Sequence, residues 1–254
     1  MKKEVLKRIF NFLEEKEQQN PPFLWKYKNN IRLIEKDLNI EGDLNLFDSK
    51  ITSLPEGLKV GGNLDLGYTN ITSLPKGLKV GGDLNLTESD IETLPEGLEV
   101  GGSLYLEYTN ISSLPEGFKV GGDLYLAESN ITSLPKGLEV GGHFSLNDTN
   151  ITSLSEGLKV GGDLYLAQSN IISLSKGLEV GGSLYLSNTK ITSLLEGLEV
   201  GGDLYLRYTS ITLLSKGLKV GGMLDITNTP LTKYSDNQLR EMIKPGFIKG
   251  KIYR

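Results

Sequence analysis

Hydrophobic and polar positions along this chain repeat with a period of 20 residues. In one period, Leu64 and Leu66 alternate with polar residues, and the same pattern begins again at Leu84. Strict alternation predicts a short β-strand with one buried face. The unit V-G-G-x-L-x-L-x-x-[ST]-x-I-x-x-L-[PS]-x-G-L-x runs from Glu41 to about Val220 without an insertion or deletion, which amounts to nine full units.

A unit of this length cannot bury its own hydrophobic residues, so the repeat predicts a solenoid in which successive coils bury them against one another. Strands of successive coils are expected to pair in parallel at about 4.8 Å, which gives ten coils a length of roughly 45–50 Å. Leu58 and Val60 also alternate with polar residues and predict a second extended segment in each coil.

Glycine accounts for 31 of the 254 residues, and 28 of the glycines occupy fixed positions in the repeat. Gly57 and the pair Gly61 and Gly62, with their counterparts, are expected at turns that need a positive φ or a close backbone approach. A serine or threonine also recurs once per unit, beginning with Ser49 and Thr69. Its place between buried apolar residues predicts a row of inward hydroxyls that bond backbone groups of the turn.

The two ends depart from the repeat and are predicted to cap it, because open coil faces would expose hydrophobic surface and unpaired strand edges. Residues 1–30 are predicted to form an N-terminal helical cap, and residues 31–234 the solenoid. Residues 235–254 are predicted to form a C-terminal cap. There Ser235 is a candidate N-cap of a short helix, and Phe247–Tyr253 is expected to be extended.

The repeat resembles the leucine-rich repeat signature L-x-L-x-x-N-x-L-x-x-L-P, and one matching copy comprises Leu64, Leu66, Ile71, Leu74 and Pro75. The most similar variety is the short bacterial class, which includes secreted effectors that act in host cells. Two positions depart from the family: its asparagine is Ser or Thr in every copy, and Gly61 and its counterparts replace its first leucine. The resemblance implies a β-rich stack of about ten coils with parallel strands, and a parallel β-helix is the alternative fold.

The side chain between the two leucines of each unit is expected to point outward, and in five units it is tyrosine. Tyrosine offers rigid apolar area with a polar tip, which favours interfaces. In leucine-rich repeats this column lies on the concave binding face, so the resemblance implies the same role. An alternative is that the rings only stabilise neighbouring strands. The candidate partner-binding residues are Tyr105, Tyr125, Tyr165, Tyr185, Tyr205, Tyr108, Tyr208, Asp123, Asp163 and His143.

The sixth unit brings His143, Ser145 and Asp148 close in sequence, which invites comparison with a hydrolase. Residues 143 and 145 of one strand lie about 6.5–7 Å apart, too far for a catalytic hydrogen bond. We therefore favour a notch at Ser145, where a small residue interrupts the line of outward tyrosines. Aspartates that precede the column recur in every second coil, about 9–10 Å apart, and cannot share a metal ion. No catalytic residue, metal or other cofactor is predicted.

Composition narrows the function further. The chain has no cysteine, which removes disulfides, cysteine-ligated zinc and the cysteine-dependent ubiquitin ligase activity of some effectors of this class. The net charge of −5 disfavours nucleic acid as a partner. No run of 18 apolar residues predicts a membrane span, and acidic residues near the N-terminus argue against a signal peptide. A cytoplasmic location is expected, or delivery into a host cell if the protein is an effector.

These observations predict a non-enzymatic module that binds a partner protein of basic or mixed surface charge through its tyrosine- and aspartate-lined strand face. A structural or self-assembling β-solenoid is the alternative. An ice-binding role is less favoured, because it needs outward Thr-x-Thr pairs and the pattern here is Thr-x-Ile. The sequence leaves the partner's identity and the oligomeric state open.

Overall fold

A computed structural model describes residues 32–254 and, before them, Phe23, Lys26 and Tyr27. Each coil contributes one two-residue strand to each of two sheets, and every pairing within the repeat joins residues 20 positions apart, as Leu64 and Leu84 illustrate. All pairings are parallel. The period predicted from the sequence is therefore the structural period.

Sheet 1 contains the strand that precedes the paired glycines in each coil, and its members are β1 (Asn39–Ile40), β3 (Lys59–Val60), β5 (Lys79–Val80), β7 (Glu99–Val100), β9 (Lys119–Val120), β11 (Glu139–Val140), β13 (Lys159–Val160), β15 (Glu179–Val180), β17 (Glu199–Val200), β19 (Lys219–Val220) and β21 (Phe247–Ile248).

Sheet 2 contains the strand that follows the paired glycines, and its members are β2 (Leu44–Asn45), β4 (Leu64–Asp65), β6 (Leu84–Asn85), β8 (Leu104–Tyr105), β10 (Leu124–Tyr125), β12 (Phe144–Ser145), β14 (Leu164–Tyr165), β16 (Leu184–Tyr185), β18 (Leu204–Tyr205), β20 (Leu224–Asp225) and β22 (Ile252–Tyr253). It is continuous through all eleven strands.

One hydrophobic core runs the length of the stack between the two sheets. Each coil supplies the same inward positions, and in a central coil Leu164, Leu166 and Ile171 are fully buried. The predicted hydroxyls lie in this interior. Thr149, 2% exposed, donates its hydroxyl to the carbonyl of Leu146 at 2.7 Å. Each such bond stays within its own coil, so the row satisfies turn carbonyls and does not connect one coil with the next.

The glycines act in the two ways that were expected. Gly57 and its eight counterparts have φ between 67° and 79°, a conformation that glycine adopts without strain. Glycine is required at the paired positions because the backbone of the preceding coil lies too close for a side chain. A Cβ placed on Gly161 would lie 2.2 Å from the carbonyl oxygen of Gly141 in the preceding coil.

Sheet 1 is interrupted once, between β7 and β9. Phe118 stands there at a position that is leucine in the other coils, and its ring is buried. The backbones also separate at this point. A Cβ on Gly121 would lie 3.2 Å from the Gly101 oxygen, compared with 2.1 Å for the corresponding pair Gly141 and Gly121. The larger side chain spreads the two coils on this side of the core.

The C-terminal segment continues both sheets after the repeat ends. A 3₁₀ turn, Pro230–Lys233, leads to a short α-helix, α1 (Asp236–Met242). Ser235 caps it, and its backbone N–H donates to the Gln238 side chain at 2.9 Å. The chain then forms β21 and β22, which pair with β19 and β20. The predicted capping helix and final extended piece are both present.

At the other end, a 3₁₀ turn, Glu35–Leu38, precedes β1. Phe23 is 1% exposed, and the Tyr27 hydroxyl donates to the Ser53 carbonyl at 2.5 Å. Both residues therefore lie against the first coils. The rest of the N-terminal helical cap predicted over residues 1–30 lies outside the described residues.

Candidate partner-binding face

The outward position of sheet 2 forms a continuous line, here called the tyrosine column: residues 45, 65, 85 and so on to 225. Three of its rings stack in succession, since the centroids of Tyr165 and Tyr185 lie 4.6 Å apart and those of Tyr185 and Tyr205 lie 4.5 Å apart. Tyr105 and Tyr125 form a second stack at 5.1 Å. Parallel in-register strands place identical side chains above one another, which produces these stacks.

The residue two positions before each member of the tyrosine column belongs to what we call the acceptor column: residues 43, 63, 83 and so on to 223. From Asp43 to Asp203 its side chains accept the backbone N–H of the next coil, whereas Met223 ends the column without such a bond among the described residues. Asp163 Oδ1 accepts from Ser183 at 2.6 Å, and Ser103 Oγ accepts from Asp123 at 3.0 Å. This column is the side-chain ladder between coils. From the sequence, Asp123 and Asp163 were expected only to line the partner-binding face, and these hydrogen bonds give the aspartates a structural role.

His143 also belongs to the acceptor column. Its Nδ1 accepts the backbone N–H of Asp163 at 3.0 Å, which requires that nitrogen to be unprotonated. Its side chain remains 45% exposed and lies beside Tyr165, with ring centroids 6.3 Å apart. The histidine thus replaces an aspartate or serine as acceptor and also faces solvent.

Ser145 separates the two tyrosine stacks, as expected from the sequence. It is only 7% exposed, so a notch between Tyr125 and Tyr165 has a buried serine as its floor. Ser145 also shows that the column accepts a small residue without loss of strand pairing, since β12 pairs with both neighbours.

The aspartates of the acceptor column also hold the tyrosine hydroxyls. Tyr125 donates to Asp123 Oδ2 at 3.1 Å and Tyr165 to Asp163 Oδ2 at 3.0 Å. Burial, followed by the hydrogen bond and the charge of Asp123, raises the pKa of Tyr125 to about 12. The same causes raise the pKa of Tyr165 further. These rings are fixed before any partner arrives, which lowers the entropy lost on binding.

We expect Asp123→Asn to lower the pKa of Tyr125 towards 10 without disturbing the ladder. Asparagine already serves in this column, because Asn63 Oδ1 accepts the Asp83 N–H at 2.8 Å. The variant removes the charge beside the phenol but leaves its burial, so part of the upward shift should remain. The pKa is measured by NMR titration of ring-labelled tyrosine. Asp43→Asn, in a coil whose column residue is Asn45, is the control and should leave the Tyr125 titration unchanged.

The raised pKa of Tyr125 also determines how the stability of the fold changes at alkaline pH. Because the folded-state pKa of Tyr125 exceeds its value of 10 in an unfolded chain, its contribution is complete below pH 10 and is lost as the pH rises towards 12. Asp123→Asn should therefore make urea unfolding less sensitive to pH in this window. An unchanged pH dependence would contradict the assignment.

A third column has a backbone conformation that was not predicted from the sequence, although two of its members, Tyr108 and Tyr208, were candidate partner-binding residues. Ten non-glycine residues, one per coil at position 48, 68 and so on to 228, have φ between 52° and 61°. Asparagine and aspartate tolerate this left-handed conformation, but tyrosine and glutamate do so at a cost of about 1–2 kcal/mol. Tyr68, Tyr108 and Tyr208 occupy such positions and are 48–53% exposed. Because every coil has this conformation whatever its residue, it belongs to the turn of the fold, and it carries the three tyrosines on exposed positions.

The charges are distributed unequally between the two sheets. The tyrosine column, the acceptor column and the positions that correspond to Gly67 and Tyr68 in each coil together contain twelve acidic side chains. Arg207 is the one basic side chain of lysine or arginine type among them. On sheet 1, five lysines and four glutamates occupy one column and mostly alternate, and several of them pair, with distances of 2.6 Å for Lys79 and Glu99 and 2.7 Å for Lys119 and Glu139. The net charge of −5 therefore conceals one neutralised face and one acidic face.

Each 20-residue coil has a parallel strand at its L-x-L segment and a buried hydroxyl at the position of the family's asparagine. The chain folds as a leucine-rich-repeat-like β-solenoid. Among its described residues, no group of three or more His, Asp or Glu side chains is placed to hold a metal ion. No helix within the described ranges is both long enough and apolar enough to cross a membrane.

Comparison with known proteins adds context to this solenoid. No protein-family model and no curated protein sequence matches the chain. Among solved structures, the Leptospira interrogans LRR protein LIC12759 is 19% identical, with 82% of this chain and 72% of that chain covered and a TM-score of 0.44. YopM from Yersinia enterocolitica WA-314 is 15% identical, with 74% and 60% covered and a TM-score of 0.27. We draw no functional conclusion from likeness at this level.

Proposed function

We propose that this solenoid is a non-enzymatic protein-binding module whose partner docks on the tyrosine column of sheet 2. The observation that carries the proposal is the pair of tyrosine stacks, held in place by the acceptor column on a predominantly acidic face. Rigid aromatic groups provide binding energy at low entropic cost, and the surrounding carboxylates favour a basic partner surface.

The structure separates the two sheets, and this allows a matched test within the same coils. Tyr165→Ser with Tyr185→Ser removes two stacked rings, and Ser145 shows that serine is compatible with the strand. Lys159→Ser with Glu179→Ser removes an exposed ion pair, 3.1 Å long, from sheet 1 of the same coils. A photo-crosslinking residue at position 185 identifies the partner in the source cell, and a second one at position 159 serves as its control.

We expect crosslinking of a defined partner from position 185 but not from position 159. With the purified partner, the tyrosine pair variant should bind at least tenfold more weakly, because buried aromatic side chains at an interface contribute about 2 kcal/mol or more each. The ion-pair variant should bind as the wild type does. Equal effects of the two variants, with both still folded by circular dichroism, would refute the proposed face.

A further inference from the structure

A hollow of about 390 Å³ lies on sheet 2 beside Tyr105, the first tyrosine of the tyrosine column. It exists because the column residues of the preceding coils, Asp65 and Asn85, are much shorter than tyrosine. The rings of Tyr105 and Tyr108 line it on the side of the following coil. The step from short to aromatic side chains thus creates a recess with a polar floor and an aromatic wall.

Three carboxylates line this hollow, and each is fixed through one oxygen. Asp65 Oδ1 accepts from the Asn85 side chain at 3.0 Å, and Asp83 Oδ1 accepts the Ser103 N–H at 2.7 Å. Glu107 Oε2 accepts from the Thr87 hydroxyl at 3.2 Å. Among the described residues, none of the three forms an ion pair with a lysine or arginine. The second oxygen of each carboxylate is left for a ligand.

The aromatic wall is also fixed. Tyr108 is held at φ 56°, and its hydroxyl donates to Glu128 Oε1 at 2.6 Å, while its side chain is 53% exposed. A glycine or asparagine at this left-handed position would relieve strain, so the ring is retained against a local conformational cost. Burial and the charge of Asp83 raise the pKa of Tyr105.

We propose that this hollow is the subsite for one arginine side chain of the protein partner. The inference rests on the proposed function and specifies the chemistry of one contact. A guanidinium group stacks on aromatic faces and presents several N–H donors in one plane, which suits a recess with two tyrosine rings and three carboxylates. Complementarity of charge points the same way, because this part of the face contains acidic side chains and no basic ones.

The test uses the peptide acetyl-Gly-Arg-Gly-amide and its citrulline counterpart, which has the same shape but no charge. Binding is followed by NMR of ring-labelled tyrosine. Asp83→Asn with Glu107→Gln removes two charges from the hollow, and Asn63 shows that asparagine maintains the ladder. Asp148→Asn with Asp203→Asn removes two charges from the same face outside the hollow and is the matched control.

We expect the arginine peptide to shift the Tyr105 and Tyr108 signals, and the citrulline peptide to leave them unchanged. The dissociation constant should rise at least fivefold in the hollow variant and stay within twofold in the control. Equal weakening in both variants, or equal binding of citrulline, would overturn the subsite. If the partner depends on Tyr165 and Tyr185 but not on the hollow, only this inference fails. If it depends on neither, the proposed function fails as well.

Discussion

Gly161→Ala is expected to destabilise the solenoid by about 3 kcal/mol, because the added methyl group meets backbone atoms that cannot rotate away. Its Cβ would lie 2.2 Å from the Gly141 oxygen and 3.1 Å from the Gly141 carbonyl carbon. Relief requires the two coils to separate. Separation would break the hydrogen bonds from the Gly161 N–H to Val140 O and from the Gly162 N–H to Gly142 O, at 2.9 and 2.8 Å. Urea unfolding monitored by circular dichroism measures the change.

The first coil provides both a control and a natural precedent. Gly42→Ala should change stability little, because a Cβ at Gly42 has no atom within 4 Å and its φ is not in the left-handed region. Glu41 stands at the position that corresponds to Gly161, in a coil before which the structure describes no other coil. Glu41 therefore has a side chain at a position where the structure describes no carbonyl group of a preceding coil. Equal destabilisation by the two substitutions would disprove the steric explanation.

Removal of residues 235–254 is expected to convert the solenoid into an unstable, self-associating species. β21 and β22 cover the last full coil, in which Leu218, Val220, Leu224 and Ile226 are completely buried. Deletion exposes these side chains and makes β19 and β20 the terminal strands of the two sheets, and an edge with exposed hydrophobic residues recruits other chains. The expected result is a lower midpoint of thermal unfolding and a mass, by light scattering, that increases with protein concentration.

A point substitution separates loss of the cap from loss of chain length. Ile248→Asp introduces a charge at a position that is 3% exposed and pairs with Val220, whereas Lys249→Ala changes an exposed neighbour. The first should reproduce much of the effect of the deletion, and the second should not. A deleted chain that stays monomeric with an unchanged midpoint would show that the segment is not a cap.

The fold could be predicted from the sequence because identical coils repeat each local signal many times. The alternation around Leu64 and around Val60 located both strands, and the glycines located the turns. The break in sheet 1 was not predicted. It depends on how far a single ring, Phe118, spreads two coils, and that distance is set by packing and not by the pattern.

The candidate site was predicted only in outline. The tyrosine column followed from strand alternation, but the ladder role of Asp123 and Asp163 did not, since it depends on the offset between consecutive coils. The left-handed position was also missed. Asn188 and Asn228 were a usable signal for it, because asparagine favours that conformation, but tyrosine and glutamate in other coils concealed it.

The ion pairs of sheet 1 bear on how such a chain can change its length during evolution. From Lys79 to Glu179 lysine and glutamate alternate from coil to coil, so Lys119 meets Glu139 and Lys159 meets Glu179. Outside this stretch like charges follow one another, at Lys59 and Lys79 and at Glu179 and Glu199. Within the stretch, gain or loss of a single coil would place two more like charges in register, whereas gain or loss of two coils would preserve the alternation. The charge pattern of the central coils therefore favours a change in length by a 40-residue pair of coils, and duplication of that pair would lengthen the tyrosine column while leaving both ends intact.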